Sequence, residues 1–173
     1  TADISLNVYE YTYSSINNIL AKDVSITNIT PAIDGISASS YSISTTLPSD
    51  LSLNTTSGII SGTPTTASTK QNYIITVTST EGDLYTTDIS LNVYEFTYST
   101  LTYLLEKDVS ITDITPVISG VSTPSYSINP VLSTTGLDFS GTSGIISGTP
   151  NTASAKQNYT ITASSAEGDD YTT

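Results

Sequence analysis

The feature that most constrains this chain is that it repeats itself. Asp3 to Glu10 recurs letter for letter as Asp88 to Glu95. Lys22–Thr27 returns as Lys107–Thr112, Ser57–Pro64 as Ser143–Pro150, and Lys70–Tyr73 as Lys156–Tyr159. The period is about 85 residues, roughly two positions in three are identical, and one residue is inserted near Thr134–Gly136. That period is too long for a helical solenoid repeat and suits one small β-sandwich per copy.

Strand signals run through each copy. Gln71–Ser79 alternates, with Tyr73, Ile75 and Val77 on one face, and Asp88–Val93 alternates, with Ile89, Leu91 and Val93 on one face. A period of two with β-branched enrichment marks half-buried strands. Val24–Ile29, Ser40–Ile43, Leu51–Asn54 and Ile59–Ser61 are shorter strand candidates. Asn54–Gly58 predicts a tight hairpin with Gly58 at positive φ, and Glu81-Gly82-Asp83 predicts the turn between the last two strands. Pro31, Pro48 and Pro64 fall at strand ends, where no ladder donor is needed. Ser15–Ala21 fits either a helical turn or an edge strand. The fold class expected is therefore all-β, two tandem sandwiches.

Composition narrows the function. Serine and threonine make up roughly a third of the chain, and a pleated, half-exposed surface suits threonine. The net charge is −12, with four lysines as the whole basic complement. Nucleic acid and anionic membrane surfaces both require clustered cations, so neither is an expected partner. No apolar run approaches the length of a bilayer span, so membrane insertion is not expected. The absence of cysteine removes disulfides and thiolate metal sites. With no His, Cys or Arg, the usual general bases and nucleophile partners are missing, and no catalytic residue is assigned. The Gly58…Gly62-Thr63-Pro64 stretch lacks the Gly-Lys-Ser/Thr ending of a phosphate loop and reads as hairpin geometry.

The stretch from Tyr41 through Leu47-Pro48 and Leu51-Ser52-Leu53 to Ser57–Pro64, followed by Asn72–Thr78, resembles the putative-Ig (cadherin-like) repeats of large bacterial surface proteins. Copy two carries Tyr126–Pro130, Gly136–Phe139 and the same Ser143–Pro150 core, but has Leu132-Ser133 in place of Leu-Pro. The resemblance implies immunoglobulin-like sandwiches, an extracellular or cell-surface location, and a fibre, stalk, spacer or adhesin role without catalytic residues. It also makes Asp88–Tyr94 the closing strand of a module. Module 1 is then Glu10–Tyr94, and module 2 is Glu95–Thr173 without its own last strand. Residues 1–9 become a last strand with no module of its own.

Two explanations follow. The chain is a window cut from a continuous array, or Ile4, Leu6 and Val8 of one chain fill the open edge of another chain's second module, head to tail between identical subunits. Strand donation also covers an edge that would otherwise invite aggregation, and contacts of this kind that do not close generate filaments. Tyr94-Glu95-Phe96 passes between modules with no Gly, Pro or Ser linker, which predicts a stiff junction and an extended rod.

Other polar clusters have competing explanations. Glu10, Asp83, Asp88, Glu95 and Asp169 lie at module ends and are candidate calcium ligands, against a solvated acidic surface. No cofactor besides calcium is suggested. Lys22, Lys70, Lys107 and Lys156 pair by repeat, either as isopeptide partners or as exposed edge protectors. Tyr9, Tyr11, Tyr13, Tyr85, Tyr94, Tyr98, Tyr103 and Tyr171 serve sugar stacking, as an adhesin repeat binding carbohydrate would need, or sheet packing. Asn28, Asn54 and Asn158 occupy Asn-x-Ser/Thr sequons of the number expected by chance.

Overall fold

The computed structural model describes residues 2–100, 102–132 and 136–172. Residues 133–135, in the loop that carries the inserted residue, lie outside the described set. The chain divides into two compact units, Thr1–Tyr94 and Glu95–Thr173. No described residue is helical, so no helix is long and apolar enough to cross a membrane.

Unit 1 contains β1 (Glu10–Tyr13), β2 (Asn17–Ala21), β3 (Pro31–Asp34), β4 (Ala38–Ile43), β5 (Leu51–Leu53), β6 (Ile60–Gly62), β7 (Ser68–Ser79) and the first part of β8 (Leu84–Tyr98). One sheet runs β2-β8-β7-β4. Facing it are the antiparallel pairs β1–β3 and β5–β6, the latter bridged from Ile60 to Ile29. The two layers share one buried cluster, in which Tyr11 and Tyr13 of β1 meet Ile60 of β6, Ile75 of β7 and Leu91 of β8. This is an all-β, immunoglobulin-like sandwich, and its inner faces follow the alternation of the sequence. Tyr73, Ile75 and Val77 are 3%, 0% and 0% exposed.

Two turns anchor the layout. At the β5–β6 hairpin the Asn54 side-chain carbonyl accepts from the N–H groups of Thr56 and Ser57, at 3.0 and 2.9 Å. Gly58 then takes φ +73°, where a Cβ would lie 2.6 Å from the Tyr41 ring, so both the backbone and the neighbour require glycine. At the β7–β8 turn Ser79 and Asp83 exchange hydrogen bonds around Gly82.

Unit 2 is built from the last residues of β8, β9 (Pro116–Ser119), β10 (Ser125–Asn129), β11 (Leu137–Phe139), β12 (Ile146–Gly148), β13 (Thr160–Ser164) and β14 (Asp170–Thr172). Glu95–Tyr98 of β8 pairs with β9, as β1 pairs with β3. The β10-β13-β14 sheet and the β11–β12 hairpin repeat their unit 1 counterparts.

Two segments differ from the sequence expectation, and a third settles an alternative that the sequence left open. Val24–Ile29 is not a strand: Asp23 sits at φ 61°, and only Ile26 and Ile29 donate to the β6 region, through Gly62 O and Ile60 O. Ser15–Ala21 resolves into the edge strand β2, which lies parallel to β8. Residues 3–9, expected to form a closing strand with its aliphatic side chains turned inward, form no strand, and Ile4, Leu6 and Val8 are 81%, 88% and 90% exposed. Unit 1 has nowhere to put them, because the identical Asp88–Tyr94 already occupies its closing position.

Candidate assembly groove

In unit 1 the closing segment of β8 lies between two edges. On one side it runs parallel to β2, with Asn17 beside Ser90 and Ala21 beside Tyr94. On the other it runs antiparallel to β7, with Tyr73 beside Ile89, Asn72 beside Ser90 and Ser68 beside Val93. Ile89, Leu91 and Val93 point inward and are at most 1% exposed. The alternate residues carry polar locks: Ser90 donates to the Asn17 side-chain carbonyl at 2.7 Å, and the Asn92 amide donates to Ser68 O at 2.8 Å.

Those edges depend on the closing segment. β2 has β8 as its one ladder neighbour. β7 meets the β4 side from Ile74, whose carbonyl accepts from Ser44 N–H at 2.9 Å, to Ser79, so its residues before Ile74 find a ladder partner in β8 alone.

In unit 2 both of these edges have counterparts in the sequence. By the repeat, residues 102–106 correspond to β2 and 154–159 to the first half of β7, and neither is a strand. β13 begins at Thr160, the first residue that has β10 as its neighbour. In unit 1 the equivalents of both segments pair with the Asp88–Tyr94 stretch of β8. Between the two segments lies a groove of about 670 Å³. Its floor includes Ile114, Leu132, Ile146 and Ile161, the repeat equivalents of Ile29, Leu47, Ile60 and Ile75. The last four belong to, or pack on, the cluster that Ile89 and Leu91 complete in unit 1. Leu104 is fully exposed on the groove's rim, whereas its counterpart Ile19 is 41% exposed. Lys107 and Lys156, half of the chain's lysines, also line it.

Residues 2–9 are the second feature. They carry the closing-strand sequence in a fully displayed form. Their described ties are light: the Asn7 amide donates to Gly35 O at 3.1 Å, and the Tyr9 ring meets Tyr85 edge-on at 4.4 Å between centroids.

The remaining candidates are dispersed. Glu10 sits in β1 opposite Asp34, Asp83 in the β7–β8 turn and Asp88 on β8, all exposed, while Glu95 and Asp169 are half-buried. Among the described residues, no three acidic side chains gather into a group that could hold a metal ion. None of the four lysines is buried; Lys22 reaches Asp23 at 3.5 Å, and Lys107 pairs with Asp108. An isopeptide bond needs a buried lysine, so these side chains fit the edge-protecting role better. The tyrosines divide between core and surface. Tyr11, Tyr13, Tyr98 and Tyr171 are buried, whereas Tyr9 and Tyr103 are exposed. Tyr13 donates to Gly58 O at 2.7 Å and Tyr98 to Gly144 O at 2.5 Å, the same strut in both units. Burial pushes Tyr98 up to about 12, and pushes Tyr13 up further, with the neighbouring Tyr11 adding to it. The strut was not apparent from the sequence, although its signal was there: a tyrosine and a hairpin glycine preserved together across the repeat.

Several solved structures resemble the chain. Human protocadherin-24 EC1-2 matches at 10% identity over 97% of this chain and 94% of that one, with a TM-score of 0.41. Drosophila OTK extracellular domains 3-5 match at 11% identity over 94% and 59%, with a TM-score of 0.49. Drosophila N-cadherin EC1-4 matches at 12% identity over 94% and 47%, with a TM-score of 0.37, so this chain spans about half of that fragment. No curated protein matches. A family profile described as "Putative Ig domain" matches residues 6–94, about half of the chain, ending where the closing segment of β8 completes unit 1. The chain belongs to that immunoglobulin-like domain family.

Proposed function

We propose that the chain is a non-enzymatic structural module of an extracellular fibre, stalk or surface array. The observation that carries this is the repetition of one immunoglobulin-like sandwich within the chain, in which the strut from Tyr13 to Gly58 O returns as that from Tyr98 to Gly144 O. The residue inventory supports a scaffold rather than a catalyst, since His, Cys and Arg are missing throughout. An acidic, Ser/Thr-rich surface keeps such a scaffold soluble outside a cell.

Glycan and protein arrays separate this scaffold from an adhesin repeat: no saturable ligand is expected, and tight binding that maps to one groove would refute the reading. Antibody labelling of unpermeabilised cells checks the location.

A further inference from the structure

We infer that the Asp34-Gly35 peptide, at the exposed end of β3, is a site of intramolecular backbone modification, where the Asp34 carboxyl group closes on the Gly35 nitrogen to a succinimide that opens to isoaspartate.

The sequence allows this chemistry at one aspartate. A ring between a side-chain carboxyl group and the next main-chain nitrogen crowds the residue that follows, so a Cβ there hinders closure and glycine does not. Of the aspartates in the chain, Asp34 alone precedes glycine; the others precede valine, isoleucine, leucine, phenylalanine, tyrosine or another aspartate. No asparagine precedes glycine either.

The local geometry favours closure. The Gly35 N–H donates to Oδ1 of Asp34 at 2.9 Å, so the nitrogen already lies against the carboxyl group that it attacks. Both residues are exposed, and water reaches the ring that forms.

Electrostatics adds to this, and the two units differ in it. Asp34 stands directly opposite Glu10 across the β1–β3 ladder, and both side chains are exposed. Like charges in directly opposed positions repel. In unit 2 the corresponding pair is Glu95 and Ser119, and the serine hydroxyl donates to the glutamate at 3.5 Å. A succinimide carries no charge, so closing the ring at residue 34 relieves the repulsion from Glu10.

The reaction needs no co-reactant but water. The Gly35 nitrogen bonds to Cγ of Asp34 and gives up its proton, and a carboxyl oxygen leaves as water. Water then adds across one of the two C–N bonds of the ring. Breaking the Cγ–N bond restores aspartate. Breaking the bond to the main-chain carbonyl carbon leaves the chain running through Cβ and Cγ of residue 34, one carbon longer, with a free α-carboxylate. The extra carbon falls beyond the rung that joins Tyr11 to Ile33. Isoaspartate therefore frees Glu10 from the ladder and leaves Tyr11 and Tyr13 in the core.

Peptide mapping of the full chain tests the site. A protease that cuts before aspartate, and not before isoaspartate, releases Asp34–Ser49 from the unmodified protein and leaves Asp23–Ser49 uncut after modification. On prolonged incubation of the native chain the longer peptide should accumulate, together with a minor form lighter by one water. Uptake of methyl groups from an isoaspartate-specific carboxyl methyltransferase gives a second readout. The aged native chain should accept them, and Asp34→Ser, which copies Ser119 of unit 2, should lose that uptake. A parallel incubation in urea separates fold from sequence, and the native chain should react at least as fast as the unfolded one. Persistent cleavage before Asp34, uptake that survives Asp34→Ser, or a native reaction slower than that in urea would each overturn the assignment.

Discussion

Leu91 and Leu6 occupy the same position of the same eight-residue sequence, yet Leu91 is wholly buried and Leu6 is 88% exposed. Replacing each by alanine therefore separates context from composition. Leu91→Ala removes three carbons from the centre of the unit 1 core and leaves a cavity, at a cost of about 2–5 kcal/mol. Taking about 3 kcal/mol, and about 4–8 °C per kcal/mol for a unit of this size, the unit 1 melting transition should fall by about 12–24 °C. Leu6→Ala in the monomeric chain removes atoms already in water and should change stability by less than about 0.5 kcal/mol. Thermal unfolding by circular dichroism gives both values. Equal destabilisation by the two substitutions in the monomer would refute the argument, since it would mean that Leu6 is packed.

The tyrosine strut gives a second contrast. Tyr13→Phe should cost about 1–3 kcal/mol by orphaning the buried Gly58 carbonyl, whereas Tyr11→Phe should be neutral or stabilising in denaturant titrations, because the Tyr11 hydroxyl is buried without a partner in good geometry and copy two already carries Phe96 there. Burial holds the folded Tyr11 and Tyr98 hydroxyls at about 12, above the ordinary 10.0. Their contribution should be fully present below pH 10 and lost as pH rises toward 12, because the unfolded chain releases those protons first; urea midpoints flat from pH 7 to 9.5 and falling above pH 10 would fit, and a fall beginning below pH 9 would not. Appending a copy of Asp88–Glu95 directly after Thr173 should fill the groove and raise the melting temperature of unit 2; an unchanged transition would contradict the groove assignment.

Much of the sandwich was legible because its determinants are local. The alternation of Gln71–Ser79 reports a strand with one wet face, and Tyr73, Ile75 and Val77 are buried accordingly. The Asn54–Gly58 hairpin was legible for the same reason, since the asparagine carboxamide and the positive-φ glycine are short-range chemistry. Edges were harder. In β2 the apolar residues Ile19 and Leu20 are adjacent, and one is exposed while the other is half-buried, so neither period dominates. Val24 and Ile26 mimic a strand, yet the chain there touches the hairpin sheet at single residues only.

What no local rule supplies is the fate of identical sequences in two places. Lys70–Tyr73 is strand and Lys156–Tyr159 is not; Asp88–Tyr94 is buried strand and Asp3–Tyr9 is neither. A β-ladder is a property of pairs, and the second member of each pair lies far away in the chain. In unit 1 the closing segment and its two edges come from one continuous chain, so all three form together. The same letters take different states according to whether a partner strand lies beside them, and no window of neighbouring residues can report that.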